Sequence, residues 1–182
     1  MNIFVLDKNP RIAAQMHCDK HCVKMILETA QMLSTAHRVY DTPQAENVYK
    51  QAHLNHPCTK WVRESKANYR WAWVLYHELL VEFKKRRGKP HKSGELIHDL
   101  SHTPHEMPDI GLTPFAQAMP DEYKHTDPVQ AYRAYYIGDK ADIAEWNWGR
   151  LEPDWFRLAK STDGGLTRSS QSGIIGERWK NA

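Results

Sequence analysis

HCDKHCVKMILETAQMLSTAHR, residues 17–38, reads as one long amphipathic helix, and the rest of the chain can be arranged around it. At about 100° per residue, Cys18, Cys22, Met25, Ile26, Thr29, Ala30, Met32, Leu33 and Ala36 fall on one broad side. His17, Lys20, Lys24, Glu28, Gln31, Thr35 and Arg38 fall on the other. His21 and Glu28 stand almost one above the other, two turns apart, where the polar side meets Met25 and Met32. A carboxylate at such a seam is partly desolvated, which lifts its pKa toward the range useful for proton transfer. The same pattern also describes an ordinary surface helix with a solvated charged face.

Upstream of this stretch, Asn2–Leu6 (NIFVL) is a short strand or an extended arm. Asp7–Pro10 is a turn in which Asn9 caps a helix with Pro10 at its first position, running through Ile12 to Gln15. Downstream, Tyr40–Pro43 breaks the helix and Gln44–His53 is a weak polar helix. Pro57 biases His56 away from helix, so Asn55–Cys58 is a connector and Thr59 caps the next helix. Lys60–Arg87 is one long helix or two in tandem, closed by Gly88 with Pro90 beyond it. Ser93 caps a short helix to Leu100, and Ser101–His125 is a long ordered loop. Asp127 and Pro128 start a helix reaching about Tyr136. Ile143–Trp148 and Pro153–Ala159 are further short helices, and residues 161–176 form a flexible polar stretch. The expectation is a mostly α, single compact domain over 1–160 with long central helices, at most one short strand pair, and a polar tail over 161–182.

A chain of 182 residues suits one domain with a real core. Residues 60–92 carry ten Lys or Arg and three acids, although the whole chain has a net charge of only +3. That local positive field favours a polyanion, and it also suits a helix end that welcomes cations. Three Cys make no disulfide framework and point to a reducing cytoplasm. Ile3–Leu6 is too short for a signal peptide or a membrane span, so no membrane partner is expected.

Seven Trp and eight Tyr offer rings with a polar handle. Trp61 or Tyr69 can stack a base while Asn68 reads its edge; equally, these rings pack a helix while Arg63 and Arg70 stay solvated. Asp121 and Glu122 are better read as a turn than as a second acid or metal ligands. His17, Cys18, His21 and Cys22 have zinc-compatible spacing, but the His and Cys pairs point about 100° apart, so no metal is expected. No P-loop, nucleotide-binding Gly fingerprint or Ser-nucleophile elbow is present, and no cofactor is expected.

Three stretches resemble the phage pyrimidine-dimer DNA glycosylases, which have the endonuclease V-like fold. Asp19-Lys20-His21 with Glu28 seven residues later is similar to that family's Asp-x-His…Glu helix, where the Glu is the catalytic carboxylate and the His lies beside it. Leu79–Gly88 (LLVEFKKRRG) resembles its second long helix, which ends in a basic cluster and Gly. Tyr132–Lys140 (YRAYYIGDK) is similar to an aromatic and basic segment near its C-terminus that helps hold DNA.

The resemblance implies a helical domain that binds damaged or modified double-stranded DNA, and a host-cell cytoplasmic location if the protein is phage-encoded. It also implies base excision with AP-lyase chemistry: an amine attacks C1′, a Schiff base forms, and a carboxylate stabilises the cationic sugar and moves the proton that opens the backbone. Glu28 takes the carboxylate role, with His21 beside it. The phosphate-binding residues would be Arg38, Arg63, Arg70, Lys84, Lys85, Arg86, Arg87, Tyr132, Arg133, Tyr135, Tyr136 and Lys140, with Trp61, Asn68 and Tyr69 for the base. The family's amine belongs to a small residue exposed by Met removal, whereas Asn2 is large enough that Met1 is usually retained. The nucleophile is then the Met1 α-amine or a lysine, Lys24 or Lys20. Two other functions fit the scaffold: an enzyme acting on a modified base or free nucleotide, and a non-catalytic DNA-binding module.

Overall fold

Two long helices carry the fold of the computed structural model, which describes residues 1–163. The helix read from residues 17–38 forms as α2 (Asp19–Val39), and the predicted second one as α4 (Lys66–Arg87). They pack face to face, and the short α1 (Pro10–Met16) lies against α4. The core between them is the apolar stripe of α2, with Met25, Ile26, Met32 and Leu33, meeting Leu75, Tyr76, Leu79 and Phe83 of α4. Each such side chain, fully buried, contributes about 1.5–3 kcal/mol. Then come α3 (Pro57–Val62), α5 (Ile97–Leu100), α6 (Pro128–Asp139) and α7 (Asp154–Asp163). Among the described residues there are seven α-helices and no strand, as the mostly α reading requires.

Several boundaries follow local chemistry legible in the sequence. Asn9 accepts the Arg11 N–H ahead of Pro10, and Asp127 accepts the Val129 N–H ahead of Pro128. Gly88 closes α4 at φ +69°, a conformation that costs residues with a Cβ. The stretch 60–87 is two helices, because Ser65 turns out of helix and its hydroxyl accepts the Asn68 N–H.

Of the two readings of residues 2–6 the structure has the arm, with Ile3–Leu6 buried in the core. Other expectations are corrected. Gln44–His53 holds only a 3-10 turn, Ala45–Asn47. α3 starts at Pro57, capped by His56 and not Thr59. His91, not Ser93, caps the turn before α5. Ile143–Trp148 is not a helix; the loop after the 3-10 turn Ala141–Ile143 is held by Asp19, whose Oδ2 accepts the N–H of Asn147 (2.5 Å) and Trp148 (3.1 Å). The polar stretch beyond 163 lies outside the described residues.

A buried ion cluster locks that loop to both long helices. Arg86 of α4 has no exposed side chain; it binds Asp19 Oδ1 at 3.1 Å, Glu82 at 3.2 Å and the carbonyls of His17 and Gln15. Arg150 closes on Glu82 from the other side. Burial works against the Glu82 charge, but the hydrogen bonds and charges of Arg150 and Arg86 hold its pKa below the ordinary carboxylate value.

Candidate active site

The arm delivers the chain's first residue to the middle of α2. Its peptide bonds cannot pair in a sheet, so the Asn2 side chain replaces a partner strand. Asn2 Oδ1 accepts the N–H of Ile3 (2.8 Å) and Phe4 (3.3 Å), and Nδ2 donates to the Ala118 carbonyl (2.9 Å). Phe4 takes φ +34°, a strained value for a residue with a Cβ, and its ring stacks on His21 at 4.5 Å. So anchored, the Asn2 N–H donates to Glu28 Oε2 at 3.0 Å, and the Met1 α-nitrogen lies 3.6 Å from the same oxygen. The Met1 side chain is 1 % exposed, with the Thr59 hydroxyl donating to its Sδ at 3.3 Å. Because the residue as a whole is only half-buried, the backbone end of Met1 is the part that meets solvent.

Glu28 is the only carboxylate that the Met1 amine reaches among the described residues. Its other oxygen, Oε1, pairs with Lys24 Nζ at 3.4 Å, one helical turn back. The Glu28 side chain is 12 % exposed, while that of Lys24 is 65 % exposed. An amine, a carboxylate and a second ammonium therefore meet at one seam, and all three, Met1, Glu28 and Lys24, are among the residues singled out from the sequence. An amine held by a carboxylate can attack an electrophilic carbon once deprotonated, and the carboxylate can take that proton.

His21 does not join them. It is buried, and Tyr136 Oη meets its Nδ1 at 2.6 Å. Burial first, then the charges of His17, Lys140, Lys24 and Lys20, push its pKa down to about 3. The ring is a neutral plank beneath Phe4.

The residues proposed for a base are engaged within the protein. Trp61, Asn68 and Tyr69 are all buried. Asn68 holds the loop segment at Thr113 through both ends of its amide, and Tyr69 bonds His37 and the Leu100 carbonyl. Trp61 packs against Trp71 and Phe115.

The expected DNA contacts divide in two. Lys84, Lys85, Arg87 and Arg70 are exposed; Lys140 sits over the half-buried Tyr135 ring, and Arg87 lies 4.0 Å above Trp148. The others are engaged within the protein. Arg86 belongs to the buried cluster, and Tyr132 and Tyr136 are fully buried. Arg38 clamps Glu46 and the carbonyls of Val48 and Tyr49; Arg63 holds Leu54; Arg133 holds Leu6. A cleft of about 580 Å³ lies between α2 and the loop after α6, with Lys20, Lys24, Asp142, Glu145 and Trp148 in its lining.

Sequence reasoning missed how the second wall is built: Thr59 of α3 bonds the Met1 sulfur and Cys58 lies against Asn2, with His56 at the cap of that turn. His-Pro ahead of an apolar turn was the available signal for that cap.

A family model described as pyrimidine dimer DNA glycosylase matches residues 1–95, the span that includes the arm, α2, α3, α4 and both walls of the seam. No curated protein and no solved structure matches the chain.

Proposed function

The chain belongs to the pyrimidine dimer DNA glycosylase family, and from that premise we propose that it excises a damaged base from double-stranded DNA and then cuts the strand as an AP lyase, with the Met1 α-amine as nucleophile and Glu28 as its carboxylate. The observation that carries this reading is the 3.6 Å separation of the Met1 nitrogen from Glu28 Oε2.

The chemistry follows from the two groups. Glu28 takes a proton from the Met1 ammonium, and the freed amine attacks C1′ of a nucleotide displaced from the stack. The base leaves C1′ with its bonding pair and takes a proton from the newly attached nitrogen. The ring C1′–O4′ bond then breaks as the nitrogen lone pair forms the C1′=N bond of the Schiff base, and O4′ receives the proton that Glu28 holds. Glu28, anionic again, faces the cationic Schiff base. Loss of a proton from C2′ to that carboxylate expels the 3′ phosphate and cuts the strand. Lys20, Lys24, Lys140 and the exposed end of α4 supply the phosphate-binding charge.

Borohydride reduction on duplexes carrying a cyclobutane pyrimidine dimer or an abasic site tests this reading. A covalent adduct mapped to Met1 by mass, and lost in Glu28→Gln while DNA binding persists, is the expected result. An adduct on Lys24 moves the nucleophile one helical turn along α2. No adduct and no strand cutting on either duplex rejects the lyase chemistry; turnover of free nucleotides in its place selects an enzyme of modified bases on this scaffold.

A further inference from the structure

Tyr132 of α6 is fully buried, and its hydroxyl serves several groups at once. It donates to the Ala116 carbonyl at 2.6 Å, meets the Ala118 N–H at 3.4 Å, and lies 4.0 Å from Cys58 Sγ. Burial, with Cys58 beside it, pushes its pKa well above the ordinary phenol value, so the hydroxyl keeps its proton and stays a donor. The ring packs edge-on against Phe4 of the arm, at 5.9 Å between centroids.

The segment that this hydroxyl holds is the one that receives the arm. Residues 116–118 have no helix or strand of their own and take their course from α6. Gln117 is fastened just ahead of the α6 cap: its Nε2 donates to the His125 carbonyl at 2.6 Å, and its Oε1 accepts the His125 N–H at 3.1 Å. On either side of it, Tyr132 holds Ala116 and Ala118. The Ala118 carbonyl then accepts Asn2 Nδ2 at 2.9 Å, while Cys58 Sγ reaches Asn2 Oδ1 at 3.9 Å. From Asn2 the path continues through the backbone: its N–H meets Glu28 Oε2 at 3.0 Å, and the Met1 nitrogen lies 3.6 Å from the same oxygen. Every link from the Tyr132 hydroxyl to the amine is a contact or a peptide bond.

We propose that Tyr132 is a positioning residue for the amine chemistry proposed above, on which this inference rests: its hydroxyl fixes residues 116–118 so that the Ala118 carbonyl holds Asn2, and with it the Met1 amine, against Glu28. The resemblance placed Tyr132 among the DNA contacts; a fully buried ring does not meet a phosphate, and its work is done from behind the arm. The seat of the amine thus draws on α6, beyond the residues 1–95 that carry the family likeness.

The test is single-turnover borohydride trapping on an abasic duplex with the full chain and its Tyr132→Phe variant. Phe keeps the ring against Phe4 and removes only the hydroxyl. A misplacement of about 1 Å costs about 100-fold in rate, and the arm keeps its other bonds, so trapping should slow by about 10-fold with DNA Kd unchanged. Tyr76→Phe removes another buried hydroxyl, one that bonds the Ser93 carbonyl and not the arm; it should lower the melting temperature and keep the parental rate. Asn2→Leu, which has the size of Asn and none of its side-chain hydrogen bonds, should slow trapping too, and adding Tyr132→Phe to it should slow trapping no further, because both break one path. Trapping by Tyr132→Phe within about threefold of the parent overturns the positioning role. So does an equal rate loss in Tyr76→Phe, or losses that multiply in the double variant. Absence of any adduct from the parent protein overturns the amine-lyase reading itself, and this inference falls with it.

Discussion

The Asn2 peptide N–H donates to Glu28 Oε2 at 3.0 Å, so the Glu28 carboxylate and the start of the chain are joined through the backbone. That bond does not depend on the identity of residue 1. It sets the position of the α-amine one residue upstream, and the buried Met1 side chain then leaves the amine facing solvent.

An added residue before Met1 converts the amine to an amide that cannot form a Schiff base. A chain carrying Gly-Ser ahead of Met1 should bind DNA yet give no borohydride adduct, whereas the same two residues added after Ala182 should leave trapping intact. Equal trapping from both chains removes Met1 from the mechanism.

Lys24 tests the competing nucleophile. Its ammonium is 65 % exposed and its pair with Glu28 is a helical i,i+4 contact, worth about 0.3–0.5 kcal/mol. Lys24→Met should therefore shift the urea midpoint very little and keep a trapped adduct on Met1. Loss of all adduct with unchanged DNA binding assigns the attack to Lys24.

Asn2 holds the arm with three side-chain hydrogen bonds, all to backbone groups. Asn2→Ala leaves buried N–H groups of Ile3 and Phe4 without acceptors, at about 1–3 kcal/mol. Urea unfolding should show that loss. The trapping rate should fall as well, because the amine is no longer held to Glu28. A variant with reduced stability and the parental rate would make the arm a structural strut only.

The basic end of α4 separates by burial. Lys85→Ala and Arg87→Ala should lower DNA affinity and reduce the salt slope by about one unit each, with stability unchanged. Arg86→Ala takes from the buried Asp19 its ion partner and leaves Glu82 to Arg150 alone, and should destabilise by about 3 kcal/mol. Circular-dichroism melts and salt-dependent titrations give both readings.

This division shows where the sequence was legible. Helical period, caps and Gly88 mark the two long helices because those signals are local. In Lys84–Arg87 the period also places Arg86 one turn beyond Glu82, on the inner side, but only the fold shows that Asp19 and Arg150 wait there. Glu28 stood out as a carboxylate at an apolar seam. The contacts that hold the arm beside it did not, because the arm, the 113–118 segment and the loop before α3 are joined by backbone acceptors, which carry no sequence signature.

Three buried histidines set the pH response. Burial is the first cause at each, and it pushes His17 down to about 4, His21 to about 3 and His37 to about 4. Their unfolded value is near 6.5. Below that pH the unfolded chain binds protons that the folded chain refuses, so stability falls as pH falls, from about 6.5 until the folded values are reached. At pH 5 the loss is about 2 kcal/mol for each fully buried ring. Urea unfolding at pH 7.5 and pH 5 should show this drop. His37→Asn should make the drop smaller, since burial keeps His37 neutral between the hydroxyls of Thr42 and Tyr69. Stability that is level across this range would require these rings to be protonated in the fold, contrary to their burial.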